Sequence, residues 1–274
     1  MTPCAALLRA LADRLARAGV ARPAAEAARI ARAAEGDGSR AHELVERRLA
    51  GAPLGCVLGR VEFLGLPLEV ASGVLAPREE TELLAKSAIA WLRAGPPEPV
   101  VVDMCCGAGN LACAIASAVP GARVWAADCS EAAVRLTAHN ASLLGLGDRV
   151  TALCGDLFAP LRGLGLEGRV EAVVCNPPYI SSGRLDGPSR ALMVHEPREA
   201  FDGGPYGLAI HQRVVREATD FVRPGGLVAV EIGRGQRRQI EALLRRARGW
   251  GEPVMVAGGD AVPRVALARR RRGL

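Results

Sequence analysis

The stretch VVDMCCGAGN, residues 101–110, decides how this chain is read. An apolar strand ends at Asp103, a turn holding Gly107 and Gly109 follows, and GNLACAIASAV (109–119) then has the character of a helix. A strand feeding a helix through a glycine turn opens a βαβ unit. Downstream, ARVWAAD (122–128), RVTALCGD (149–156), RVEAVVCNPPY (169–179) and GGLVAVEIG (225–233) read as strands. Helices fit SEAAVRLTAHNASLLG (130–145), 207–222 and 236–246. The alternation predicts an α/β fold: a doubly wound, mainly parallel sheet with helices on both faces. PVMVAG (253–258) and PRVALARR (263–270) are too close together for a crossover helix, which makes seven strands with an antiparallel ending.

Upstream of that sheet the pattern is helical. Leu7, Leu8, Leu11 and Leu15 recur at helical spacing, Ala24–Ala34 follows Arg22-Pro23, and a third helix fits Arg40–Leu49. VEFLGLPLEV (61–70) reads as a hairpin turning at Gly65-Leu66-Pro67, and APREETELL (76–84) places a helix start at Thr81 or a neighbouring acid. The expected organisation is a helical bundle at 1–50, a hairpin connector at 51–76 and a catalytic domain at 77–274.

Composition narrows the classes. Half of the residues are hydrophobic and 23% are charged, a globular balance. Aromatic residues make up only 3%, which argues against broad stacking surfaces for bases. Net charge is +6, and much of the excess lies in ARRRRGL (268–274). The Arg269–Arg272 run is read either as a weak nucleic-acid contact or as a solvated tail. No run of apolar residues is long enough for a membrane span, and the first segment is an amphipathic helix, so a cytoplasmic monomer is expected. The eight cysteines contain no CxxC pair. Cys105, Cys106, Cys129, Cys154 and Cys175 all fall at strand ends, where they are read as small fillers beneath a pocket, and no metal site is expected.

In such sheets ligands bind at the carboxyl ends of the strands. Asp103, Cys105, Gly107, Gly109, Asp128, Cys129, Asp156, Leu157 and Asn176 fall there and form the candidate cofactor site. Glycines at 107 and 109 allow close approach of the backbone, and Asp128 stands where a carboxylate meets ribose hydroxyls. Asp156 is placed to reach an adenine amino group. Strand-end acids also cap following helices, so any one of them alone is ambiguous. The turn lacks both GxxxxGK[ST] and a full GxGxxG, which favours adenosine without a pyrophosphate, hence S-adenosylmethionine.

The segment VCNPPYI (174–180) supplies the acceptor side. Two prolines fix the backbone and remove two N–H donors, Asn176 adds an amide oxygen, and Tyr179 adds an aromatic face. Asn176 Oδ1 and the Pro177 carbonyl can hold the two protons of a planar NH2 group, which favours a pyramidal, attacking nitrogen. The rate gain is then chiefly proximity and orientation, with stabilisation of the developing charge. Asn176, Pro177 and Tyr179 are the expected catalytic residues.

With these residues in place, the chain resembles the class I S-adenosylmethionine-dependent methyltransferases that carry Asn-Pro-Pro-Tyr. Within them it is similar to the protein-glutamine N5-methyltransferases that act on peptide chain release factors. VEFLGLPLEVASGVLAPREETELL (61–84), HEPREAFDGGPYGLAIHQRVVREA (195–218) and PGGLVAVEIGRGQ (224–236) carry the likeness. It implies a Rossmann-like catalytic domain and a release factor, modified in its Gly-Gly-Gln motif, held by the N-terminal bundle. It further implies that Asn176, Pro177, Pro178, Tyr179, Arg78 and Glu196 line the acceptor site. Glu196 and Arg198 are read as an ion pair ordering a loop over the site, and His195 and His211 as helix-surface or capping residues. Four departures point to a paralogue: Cys105 stands at the first glycine of the family turn, Ala76 at an isoleucine, Glu79 at a proline, and Gly55-Cys56 where an aromatic or bulkier pair is common. Another protein glutamine, a small amide metabolite or a base of rRNA or DNA are the alternative acceptors, and an inactive binding protein is the reading from another class.

Overall fold

The computed structural model describes residues 5–187, 189–194 and 196–272, the side chains of residues 191 and 192 apart; His195 lies outside them. Three helices, α1 (Ala5–Arg17), α2 (Pro23–Ala33) and α3 (Gly38–Leu49), form the N-terminal bundle. Leu11, Leu15, Ile30 and Val45 are fully buried at its centre. Asp37 caps α3, accepting from the Ser39 and Arg40 amides at 2.8 and 3.1 Å. A short helix, α4 (Leu54–Leu58), follows and stops at Gly59 in the left-handed region. The expected connector held only a hairpin; α4 is too short to show helical periodicity in sequence.

Strands β1 (Arg60–Phe63) and β2 (Leu66–Glu69) pair antiparallel with Phe63 opposite Leu66. The turn is therefore Leu64-Gly65, one residue earlier than the Gly65-Leu66-Pro67 expected. Both residues have positive φ, 49° and 79°. A two-residue hairpin loop that follows the strand twist needs that conformation at both positions. Pro67 is thus left inside the strand, opposite Glu62.

The sheet domain runs α5 (Glu82–Arg93), β3 (Val100–Met104), α6 (Asn110–Ala118), β4 (Arg123–Asp128), α7 (Glu131–Leu143), β5 (Val150–Cys154) and β6 (Val170–Cys175). It continues with α8 (Ser182–Leu185), α9 (Ala209–Phe221), β7 (Val222–Glu231), α10 (Arg237–Arg246), β8 (Val254–Ala257) and β9 (Pro263–Arg269). The seven strands lie in the order β5-β4-β3-β6-β7-β9-β8, with β9 antiparallel to both its neighbours. The order reverses between β3 and β6, which opens a crevice at their carboxyl ends. Every residue of β6 is buried, as a central parallel strand requires. Val101 and Ala172 pack on one face with Leu84 and Ile115, while Val102 and Val173 pack on the other with Phe158 and Phe221. The Phe158 and Phe221 rings stack at 4.9 Å.

The basic run near the end is not a loose tail. Gly225 N–H donates to the Arg270 carbonyl at 2.9 Å, and the Arg270 and Arg271 amides donate to Gly226 and Gly249 at 2.7 Å each. Backbone pairing thus continues past β9 as far as Arg271.

A buried side chain of α7 ties the hairpin to the turn after β3. Asn140 of α7 is fully buried; its Oδ1 accepts from the Glu69 amide at 2.8 Å, and its Nδ2 donates to the carbonyls of Glu69 and Ala108 at 3.0 and 2.9 Å. Among the described residues no helix is long and apolar enough to cross a membrane. Asn140→Ala strands these groups and is expected to cost about 2–3 kcal/mol in urea unfolding, with faster proteolysis within 60–69. A variant as stable and as resistant as wild type would dismiss the anchor.

Candidate active site

The glycine turn after β3 is pinned from several sides. Cys106 N–H donates to the Ala127 carbonyl at 3.1 Å, Gly107 N–H to Asp128 Oδ2 at 3.0 Å, and the Thr137 hydroxyl to the Gly107 carbonyl at 3.1 Å. Cys105, Gly107 and Gly109 all have positive φ, at 60°, 54° and 78°. Cys105 is thus a side-chain-bearing residue in a conformation that favours glycine. The two glycines differ in reason. A Cβ on Gly107 would meet nothing within 4 Å, whereas one on Gly109 would lie 2.9 Å from Thr137. Gly107 faces open space, and Gly109 lets α6 and α7 pack.

That open space is a cavity of about 330 Å³ bordered by Cys105, Gly107, Asp128, Cys129, Asp156, Leu157, Asn176 and Pro178. Two expected cofactor residues are absent from its wall, Gly109 and Asp103. Asp103 is fully buried, and its Oδ2 accepts from the Ala112 amide of α6 at 2.9 Å while Oδ1 has no partner. It caps a helix rather than facing a ligand. Burial pushes its carboxyl up to about 8, the Ala112 hydrogen bond opposing and Asp128 adding to the rise. Asp128 does face the cavity, its two oxygens accepting one backbone amide each, from Gly107 and from Ser130 at 2.9 Å. Each oxygen keeps a lone pair for a hydroxyl. Asp156 is held by both terminal nitrogens of Arg213 at 2.9 Å, a fork that keeps its pKa low. Its carboxylate is therefore shared with an arginine that no sequence spacing announces. Of the strand-end cysteines, Cys106 and Cys175 are buried fillers as expected, but Cys129 and Cys154 are exposed.

A second cavity, about 360 Å³, opens on the other side of Asn176. Pro177, Tyr179, Arg78, Glu196 and Glu231 line it, together with Gly51 and Pro53 from the link between α3 and α4. Asn176 belongs to both walls. Its Nδ2 donates to the Thr81 hydroxyl at 3.1 Å, which leaves Oδ1 to accept. Among the described residues nothing donates to the Pro177 carbonyl. Thr81 was expected to start α5 with its side chain, yet it makes no cap bond because the hydroxyl is used here. Tyr179 donates to Glu231 Oε1 at 3.4 Å. Burial raises Glu231 to about 7, with Thr81 and Tyr179 lowering it and Glu80 raising it.

Glu196 pairs with Arg78, not with Arg198, and also accepts from the Ala76 amide at 3.0 Å. Arg198 instead bridges Asp186 and Asp202 at 2.7 and 3.0 Å. The distance in sequence between positions 78 and 196 hid this partner. The Gly203–Gly207 loop lies on the Asn-Pro-Pro-Tyr backbone so closely that a Cβ at Gly203 or Gly207 would sit 2.7 or 2.3 Å from the Pro178 or Tyr179 carbonyl. Gln236 clamps the same turn, donating to the Tyr179 and Gly207 carbonyls at 2.9 and 3.0 Å. His211 is fully buried in the core, not on a helix surface, with Nε2 2.8 Å from the Glu231 carbonyl. Burial lowers it to about 4, so it is neutral and donates that bond. Among the described residues no group of three His, Cys, Asp or Glu could hold a metal ion.

Two adjoining cavities with the Asn176 amide in both walls suit transfer of a small group to a nitrogen. A family model described as the methyltransferase small domain matches residues 82–204. Release factor glutamine methyltransferase of Moorella thermoacetica is 39% identical over 84% of this chain and 79% of its own length. This chain belongs to the release factor glutamine methyltransferase family.

The 4-amino-L-phenylalanine/4-methylamino-L-phenylalanine methyltransferase of Streptomyces pristinaespiralis is also similar, 36% identical over 75% of this chain and 70% of its own length. The ribosomal protein L11 methylase of Lactobacillus delbrueckii shares the fold, with a TM-score of 0.52 at 19% identity over 73% of this chain and 83% of that one. As a family member the protein is an S-adenosylmethionine-dependent methyltransferase, and the first cavity fits that donor. Gly107 leaves room where a Cβ would intrude, Asp128 retains acceptor lone pairs, and acids at 128, 156, 199 and 202 border a space that takes a cationic ligand.

The raised Asp103 pKa sets a stability window. Between about 4 and about 8 the folded state binds more protons than the unfolded one, so this residue lowers stability as pH rises through that range. Asp103→Asn keeps an acceptor for Ala112 and should gain Tm over wild type progressively from pH 4 to 8, by about 3 °C at the upper end. Scanning calorimetry across that range checks it; a pH-independent difference would contradict the buried charge.

Proposed function

We propose that this enzyme transfers a methyl group to the side-chain amide nitrogen of a glutamine in a peptide chain release factor, in its Gly-Gly-Gln motif. The supporting observation is Asn176, which stands in the wall of both cavities with its Oδ1 free and its Nδ2 held. S-adenosylmethionine supplies an electrophilic methyl on a sulfonium; Asp128 and the Gly107 turn would hold its ribose side, Asp156 and Leu157 its adenine. The protein's own part is to bring up a weak nucleophile. An amide nitrogen gains little from a general base before attack, since its lone pair is delocalised. Asn176 Oδ1 and the Pro177 carbonyl each accept one of its N–H bonds, which fixes the nitrogen and favours its pyramidal form. As positive charge grows there, the same two oxygens stabilise it. Tyr179, held by Glu231, flanks the flat amide.

Gly51 and Pro53, at the start of the connector just after the bundle's last helix, line the second cavity, which supports a protein substrate held by the adjoining 1–50 domain. Arg78 and Glu196, paired across that cavity, then shape its entrance. The protein would work in the cytoplasm as a monomer, with any phosphate contact from the side chains of Arg269–Arg272 secondary.

A second reading is a small aromatic amine as acceptor, favoured by the likeness to the Streptomyces enzyme. Labelled S-adenosylmethionine with a purified release factor, and separately with 4-amino-L-phenylalanine, decides between them. Label is expected on the release factor glutamine, and Asn176→Ala should lower that transfer at least ~100-fold without loss of fold. Label on the amine alone would reject the glutamine reading, and undiminished transfer by Asn176→Ala would reject the mechanism.

A further inference from the structure

The turn after β6 is short of backbone hydrogen bonds. Pro177 and Pro178 carry no N–H, and among the described residues nothing donates to either carbonyl. The stretch therefore hangs between the end of β6 at Cys175 and the first bonded backbone group beyond Asn176, the Tyr179 carbonyl. That carbonyl is held by a side chain, Gln236, whose Nε2 donates to it at 2.9 Å.

The whole amide of Gln236 is spent on backbone. Gly233 N–H donates to its Oε1 at 2.9 Å, and its Nε2 donates to the Tyr179 and Gly207 carbonyls at 2.9 and 3.0 Å. A backbone N–H only donates and a carbonyl only accepts, so these partners fix which end of the amide is oxygen. One side chain thus joins three segments: the acceptor turn, the glycine loop and the end of β7. A carboxylate there would have no donor for the two carbonyls, and a cationic side chain would have no acceptor for Gly233. The helix gives up a cap for it, since Gln236 is the N-cap of α10 and its side chain makes no cap bond. Loop and turn also grip each other, Ile180 N–H donating to the Phe201 carbonyl at 2.9 Å and Gly203 N–H to the Ile180 carbonyl at 2.8 Å. Gln236 ties that pair to the sheet.

Gly233 has a second use. A Cβ on it would lie 2.9 Å from Tyr179 Cδ2, so the tyrosine ring rests against bare backbone, with its hydroxyl 3.4 Å from Glu231 Oε1. Residues 231–236 therefore form a seat that holds Tyr179 by its carbonyl, its ring and its hydroxyl. We propose that Gln236 is a positioning residue for methyl transfer: through the Tyr179 carbonyl it fixes where Asn176 and Pro177 meet the acceptor nitrogen, with Gly233 as the floor of the Tyr179 ring. The inference rests on the methyl-transfer reading above and adds what holds its acceptor side in place. Neither Gln236 nor Gly233 borders either cavity, so both act through the turn and their loss should spare donor binding.

The test uses the full chain with a purified release factor and labelled S-adenosylmethionine. Gln236→Leu removes all three bonds, and Gln236→Glu keeps the acceptor for Gly233 but sets a carboxylate against two carbonyls. In both, kcat should fall about thirtyfold, while KM for the release factor and the Kd for S-adenosylmethionine by calorimetry stay within about threefold. Amide hydrogen exchange within 176–182 and 203–207 should quicken at least ~10-fold in Gln236→Leu and stay unchanged within 101–110. Gly233→Ala pushes a methyl at the Tyr179 ring and should repeat the kinetic pattern; it keeps the inference testable should the Gln236 variants not fold. Variants that turn over like wild type would overturn the inference, as would unchanged exchange in 176–182 or a Kd for S-adenosylmethionine that weakens as much as kcat falls. Wild type transferring no methyl to the release factor would instead reject the functional reading, and the exchange measurement would still decide whether Gln236 holds the turn.

Discussion

The hydrogen bond from Asn176 to Thr81 is the contact on which the site depends. It spans the segment before α5 and the end of β6, two parts of the chain far apart in sequence that meet only because the sheet brings them together. Around it the fold supplies rigidity rather than chemistry. The fully buried β6 fixes where Asn176 begins, the prolines fix the path after it, and Gln236 with the glycine loop holds that path from outside. A methyl-transfer site of the kind proposed would need few reactive groups, because it would act chiefly by placing two reactants.

The sequence made the architecture legible because hydrophobic runs and glycine turns repeat with the period of βα units. It also marked Asp128, Gly107 and Asn176 at strand ends, and these residues border the two cavities. Asp103 and Gly109 share that position but point elsewhere, into α6 and against Thr137. A motif gives a residue's place along the chain, while the direction of its side chain follows from packing that the motif does not contain. Partners were harder still. Arg78 with Glu196, Arg213 with Asp156 and Thr81 with Asn176 are each separated by long stretches of chain, and no periodicity links them. The expected pairing of Glu196 with Arg198 failed because closeness in sequence stood in for closeness in space.

Two residues show how burial changes meaning. His211 is a weak candidate for chemistry once it is known to be fully buried, neutral and bonded to a backbone carbonyl. Cys105 remains the distinctive residue of the donor cavity, since a thiol-bearing side chain occupies a left-handed backbone position there. The turn tolerates it because hydrogen bonds to Ala127, Asp128 and Thr137 over-determine the neighbouring backbone.

The place of β9 between β7 and β8 has a consequence for how the chain is made. Both of its neighbours leave the ribosome before it does. Until β9 arrives, β7 offers along one side an unpaired edge whose last residues, Leu227 to Glu231, are all buried in the finished sheet. Such an edge is a template for pairing with other chains. Synthesis therefore passes through an interval in which α10 and β8 have emerged but the sheet is open, and protection of the nascent chain matters most there.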